Sequence, residues 1–100
     1  MSQSKKNYHE DLIERLQDPA EAMGYLKVAL EENDMPEIFL AALRDVAEAR
    51  GISQLAKESN LNRENLYKML SKKGNPALKS LYSILDTLGF KLSIQLKKPA

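Results

Sequence analysis

Apolar positions recur at helical spacing along most of this 100-residue chain. Leu12, Ile13 and Leu16 form a short stripe over residues 8–17. Ala22, Leu26, Ala29 and Leu30 share one face of a second segment that runs to about Glu32. Its start is marked in the sequence: Asp18 can accept from an orphan amide, Pro19 needs no amide proton, and Glu21 can reach back to the cap. Asn33 and Asp34 interrupt the pattern, and Pro36 opens a third helix through about Arg50, with Phe39, Leu40, Leu43, Val46 and Ala47 as its buried stripe. Gly51 suits the left-handed turn that must follow. Two short helices are predicted next, over residues 53–59 and 62–70, with Ser53 and Asn62 as caps. Lys72, Lys73, Gly74, Asn75 and Pro76 read as a basic loop. A last helix over residues 77–88 carries Leu78, Leu81, Tyr82, Leu85 and Leu88, and Gly89 ends it.

The period then changes. Phe90, Leu92, Ile94 and Leu96 alternate with Lys91, Ser93, Gln95 and Lys97, the pattern of a half-buried strand. No other segment reads as a strand, so its amides and carbonyls need a partner from outside. Pairing with a second copy in a symmetric dimer and lending an edge to another protein are the two natural solutions; a short extended tail is the third reading. The expected fold class is therefore all-α, a compact helical bundle with one short C-terminal β-strand paired across a dimer. Phe90, Leu92, Ile94 and Leu96 are the candidate dimerisation residues.

Composition narrows the function more by exclusion than by assertion. The length allows one domain, and 43% apolar with 29% charged residues is an ordinary globular mix. Cysteine is absent and His9 is the single histidine, so thiolate zinc sites and iron–sulfur clusters are excluded and a Ser-His-Asp triad is poorly supplied. There is no glycine-rich phosphate loop and no metal-ligand spacing, so no cofactor, no metal and no enzymatic activity are expected. No apolar run follows the first residues and none is long enough for a membrane span, which leads to the expectation of a cytoplasmic protein. The net charge of +1 hides an asymmetry. Residues 1–51 hold six Lys/Arg against eleven Asp/Glu, a balance of −5, whereas residues 52–100 hold nine against three, a balance of +6. The basic half could meet a polyanion and the acidic half a cationic partner, although solvated helix faces also accommodate such charges.

The segment from Ser53 to Leu70, SQLAKESNLNRENLYKML, has the spacing of a helix-turn-helix. Two short helices crossing steeply need a small residue in the first, which Ala56 supplies, while Leu55, Leu61, Leu66 and Met69 point into the shared core. The turn needs left-handed backbone, which Asn60 tolerates better than other non-glycine residues. The segment resembles the Cro/repressor-like helix-turn-helix family. More specifically, ALRDVAEARGISQLAKESNLNRENLYKMLSKKGNPALKSLYSILDTLGFKLSI is similar to addiction-module antidote proteins, the helix-turn-helix antitoxins of type II toxin–antitoxin pairs. The likeness extends upstream through EDLIERLQDPAEAMGYLKVALEEND and so covers nearly the whole chain. One departure is Asn60, where the general motif usually has glycine.

A recognition helix starting at Asn62 would present Arg63, Glu64, Tyr67 and Lys68 outward. Arg63 suits guanine, Asn62 or Asn65 suits adenine, and Asn62 can instead serve the cap; Glu64 can accept from cytosine or favour the positive helix end. Tyr67 and Lys68 fit phosphate better than base edges, Ser53 and Gln54 can address phosphate from the preceding helix, and Lys72 and Lys73 would flank the groove. A single unit reads few bases, so double-stranded DNA carrying an inverted repeat and a homodimer are expected together. The resemblance further implies a basic, RNA-cleaving toxin as partner. Glu10, Asp11, Glu14, Glu31, Glu32, Asp34 and Glu37 are candidate contacts for it, and a solvated surface that keeps this half off DNA explains them equally well.

The chain thus divides into a frayed tail (1–7), acidic N-terminal helices (8–34), a helix-turn-helix DNA-binding domain (35–89) and a dimerisation strand (90–97). The expected function is a sequence-specific repressor that acts as the antitoxin of its module. A solitary prophage-like regulator would carry the same DNA-binding residues, and a protein–protein adaptor would use the same surface without preferring an inverted repeat.

Overall fold

The computed structural model describes residues 7–31, 35–71 and 73–98. Among these residues six helices follow one another: α1 (Tyr8–Arg15), α2 (Pro19–Glu31), α3 (Pro36–Arg50), α4 (Ile52–Ser59), α5 (Arg63–Met69) and α6 (Leu78–Leu88). The interruption expected at Asn33 and Asp34 lies outside the described residues.

Local chemistry explains most of the boundaries. The Asn7 side chain accepts from the backbone amides of His9 and Glu10, at 2.8 and 3.3 Å, and so starts α1. Asp18 accepts from the Ala20 amide at 3.1 Å, with Pro19 as the first residue of α2. The expected cap at Ser53 is displaced. Gly51, at φ 106° and ψ 115°, ends α3 and begins α4 at once, and Ile52 is the first helical residue. The shift buries Ile52, which a start at Ser53 would leave in the connection.

Helix α3 is the central element, burying Phe39, Leu40, Ala42, Leu43, Val46 and Ala47. Helices α1, α2 and α4 pack on it, and α4 also touches α5 and α6. Leu43, Leu55, Leu66, Leu70 and Ile84 form the fully enclosed centre. Two polar links tie the C-terminal half together. The Arg50 guanidinium donates to the carbonyls of Thr87 and Leu88 at 3.1 and 3.2 Å, satisfying the open end of α6. The buried Ser59 hydroxyl donates to Leu55 O at 2.7 Å, and the Ser83 hydroxyl donates to Ser59 O at 3.3 Å.

Two expectations are corrected. The first is the C-terminal strand: the described residues are helical or irregular, and residues 90–97 form no strand. At Gly89, φ 93°, the chain makes a left-handed turn in which the Phe90 amide donates to Leu85 O at 2.8 Å, laying the Phe90 ring on the core. Beyond it the segment projects, with Ile94 and Leu96 99% and 98% exposed. Alternation alone does not make a strand, because strand structure lies in ladder hydrogen bonds and no second strand is within reach among the described residues. The fold is all-α. The second concerns faces. Leu78 and Tyr82 are exposed and Ile84 takes their place, since a helix buries one stripe and α6 turns Leu81, Ile84, Leu85 and Leu88 inward. Leu30 of α2 is likewise exposed. No helix among the described residues is long and apolar enough to cross a membrane.

Candidate nucleic-acid interface

Helices α4 and α5 meet through a turn built on one residue. Asn60 sits at φ 62° and ψ 30°, the left-handed region, and is the non-glycine residue with positive φ among those described. The Leu61 amide donates to Ala56 O at 3.0 Å, so Ala56 lies where the chain doubles back. The Asn62 side chain then accepts from the Glu64 and Asn65 amides at 2.9 and 3.2 Å and opens α5. Of the two roles open to Asn62, the structure shows the cap. Helix α5 is seated by Leu66 and by Leu70 just beyond its end, both fully buried, with Met69 half-buried beside them.

This seating leaves the other side of α5 facing water. Arg63, Glu64, Asn65 and Lys68 are exposed, and Ser53 and Gln54 are exposed at the start of α4. The Gln54 amide donates to Glu58 at 2.6 Å, and Glu58 also meets Arg50 at 3.6 Å. Tyr67 is partly covered: the Arg44 guanidinium of α3 lies 5.7 Å from its ring centroid, a cation–π distance. Lys73 is exposed, and Lys72 lies outside the described residues. Between them, the first turn of α5 and the first turn of α4 offer amide, guanidinium, carboxamide and hydroxyl groups to an incoming ligand. Such groups can hydrogen-bond base edges and phosphate oxygens. The dimerisation residues are not part of this surface. Phe90 packs on the core, and Leu92, Ile94 and Leu96 lie on the projecting segment.

Several neighbouring contacts carry little signal in the sequence. Helix α1 walls the surface on one side, and an open cleft of about 470 Å³ is lined by Glu10 and Glu14 of α1 and Gln17 beyond its end, together with Ser53, Arg63 and Tyr67. His9, at the foot of α1, makes a 3.2 Å contact from Nε2 to Glu48 Oε1 and so pins α1 to α3. His9, Asp45 and Glu48 place one donor atom each within 4.8 Å of the others, a set of the chemistry that can hold a metal ion. Asp45 already accepts from the Tyr25 hydroxyl at 2.7 Å. Burial first, then that hydrogen bond and the Asp45 charge, push the Tyr25 hydroxyl up to about 12, with Arg15 opposing. Gly74 closes the far end: a Cβ there would run into the Met69 carbonyl, so the basic loop can lie against the end of α5 because it has glycine at that point. Pairwise contacts of this kind have no periodic signal. The acidic i, i+3 spacing of Asp45 and Glu48 was the one trace available in the sequence.

Residues 6–96 match a family model described as "Probable addiction module antidote protein". A protein of Haemophilus influenzae described as "Uncharacterized protein" is 35% identical over 95 residues, which is 95% of this chain and 95% of its own. No solved structure matches.

Proposed function

Since the chain belongs to the addiction module antidote family, we propose that it works as an antitoxin that also binds its own operator DNA as a repressor, acting by binding and not by catalysis. The observation that carries the DNA-binding half is the α4–Asn60–α5 unit, a helix-turn-helix whose left-handed joint and Asn62 cap leave Arg63, Glu64 and Asn65 exposed at the start of α5. In the major groove, Arg63 would reach guanine and Asn65 adenine; Ser53, Gln54 and Lys68 would take phosphate, with Lys72 and Lys73 adding attraction along the backbone. Tyr67, held under Arg44, would serve as a phosphate donor at the edge. A homodimer would place two such helices about 34–36 Å apart on an inverted repeat. The toxin would be a basic, RNA-cleaving protein met by the acidic N-terminal half, and the pair would act in the cytoplasm.

The test is a titration of the full-length protein against its own promoter and a scrambled duplex at two salt concentrations. Tight binding to the promoter alone, weakened by salt, is expected. Arg63→Ala should cost roughly tenfold or more, the worth of one good base contact. Lys68→Ala should lower the salt slope by about one and leave sequence preference intact. Equal and feeble binding to both duplexes would overturn the repressor reading in favour of a protein–protein role.

A further inference from the structure

Among the apolar features that the described residues leave uncovered are a projection and a groove. The projection is the segment after Phe90. Leu92, Ile94 and Leu96 alternate along it with Ser93, Gln95 and Lys97. Ile94 and Leu96 are almost fully exposed and so stand clear of their own core. The groove, about 350 Å³, lies where the end of α2 and the start of α3 face the loop around Pro76. Leu30, Met35, Phe39, Leu40, Pro76 and Leu81 line it. Leu30 and Met35 are about half exposed, although Leu30 lies on the stripe that helical periodicity would bury.

Charge says which of these meets which. The exposed Lys91, Lys97 and Lys98 accompany the apolar projection. Exposed Glu31 and Glu37 follow directly in the chain on Leu30 and Pro36, which line the groove, and exposed Lys73 precedes its lining residue Gly74 as the opposing charge. A basic, aliphatic segment and an acidic-rimmed, aliphatic groove are complementary in both respects. Within one chain they are apart. The left-handed turn at Gly89 directs the segment outward, and the near-complete exposure of Ile94 and Leu96 shows that the chain's own groove does not receive them. A second copy carries the same segment at equal concentration.

We propose that the C-terminal segment of one copy seats Ile94 and Leu96 in the α2–α3 groove of a second copy, and that the exchange is reciprocal. This rests on the dimer part of the reading above and is independent of whether the protein binds DNA. It differs from strand pairing in what it requires: side chains entering a groove, with no inter-strand ladder. It also accounts for the exposure of Leu30 and Met35, whose covering surface comes from the other chain.

Sedimentation velocity on the full chain tests it, with two double variants: Ile94→Asp/Leu96→Asp in the segment and Leu30→Lys/Met35→Lys in the groove. Ile94 and Leu96 are almost fully exposed and Leu30 and Met35 about half exposed, so the helicity of each protomer should match the wild type. The wild type is expected as a dimer, and each double variant should dissociate at least tenfold more readily. An equimolar mixture of the two variants should recover part of the dimer, because the groove of the first and the segment of the second are intact and form one complete seat. A wild type that stays monomeric across the accessible concentration range overturns the dimer itself. A wild-type dimer that the groove variant leaves untouched overturns the seat alone. So does a mixture no more dimeric than its components.

Discussion

Truncating Leu66 to alanine tests how the candidate reading helix is held. Helix α5 has seven residues, far too few to be stable alone, and within its bounds Leu66 is the buried side chain, 0% exposed. Leu66 is one of the fully buried side chains of the core, with Leu43 of α3, Leu55 of α4, Ile84 of α6 and Leu70. The core around it is built from several helices, so little collapse into the vacated space is expected, and the loss should fall mid-range for Leu→Ala, about 3–4 kcal/mol. A domain of this size has roughly 5–15 kcal/mol in all, and each kcal/mol moves the midpoint by about 4–8 °C. Circular dichroism melting should therefore show a fall of at least about 12 °C. Hydrogen exchange should show the amides of α5 losing protection before those of α3, because α3 keeps its six buried side chains whereas α5 loses the one within its bounds. A loss under about 1 kcal/mol, or uniform loss of protection across all helices, would refute the claim that Leu66 is the anchor of α5.

Three further perturbations follow from the same geometry. Asn60→Gly should stabilise slightly or leave stability unchanged, since glycine takes the left-handed turn freely, whereas Asn60→Val should cost about 1–2 kcal/mol; urea unfolding of the two variants separates them. Gly74→Ala should destabilise by about 1–3 kcal/mol, because its Cβ meets the Met69 backbone and no side chain can yield there; equal melting temperatures would show that the loop moves aside at no cost. Tyr25→Phe removes the hydroxyl that Asp45 accepts from and should cost about 1 kcal/mol at neutral pH. The folded-state value for Tyr25 is raised from 10.0 to about 12, so its contribution is complete below pH 10 and fades as the pH climbs through 12. The wild type should lose that increment of stability over this window and Tyr25→Phe should not; parallel pH–stability curves would contradict the assignment.

The number and order of the helices were legible because periodicity is a property of the chain itself. The Asp18–Pro19 start, the Pro36 start and the Asn62 cap each depend on atoms two or three residues apart, and each forms in the structure. The Asn60 turn belongs to the same class: one residue type with a cheap left-handed conformation, placed between two helices too short to continue. The candidate interface was legible for the same reason, since the first turn of α5 is exposed once Leu66 faces the core.

Other features depend on what stands opposite. The sequence shows that α6 has an apolar side, but Leu78, Leu81, Tyr82, Ile84, Leu85 and Leu88 span more of the helix than one neighbour can cover. Packing against α4 selected Ile84 and left Leu78 and Tyr82 out. Arg50 counts as one more charge in the sequence, and only the fold brings it to the carbonyls of Thr87 and Leu88. The contact of His9 with Glu48 and the alcove that Gly74 leaves for Met69 are likewise encounters between segments far apart in the chain or folded back on themselves. Residues 90–97 mark the boundary most clearly. Their alternation was determined by sequence, yet a strand is a relation between two backbones, and among the described residues there is no second one to complete it. Local spacing determined which elements could form; only tertiary packing decided which of their faces were buried, because burial belongs to pairs of surfaces and not to one.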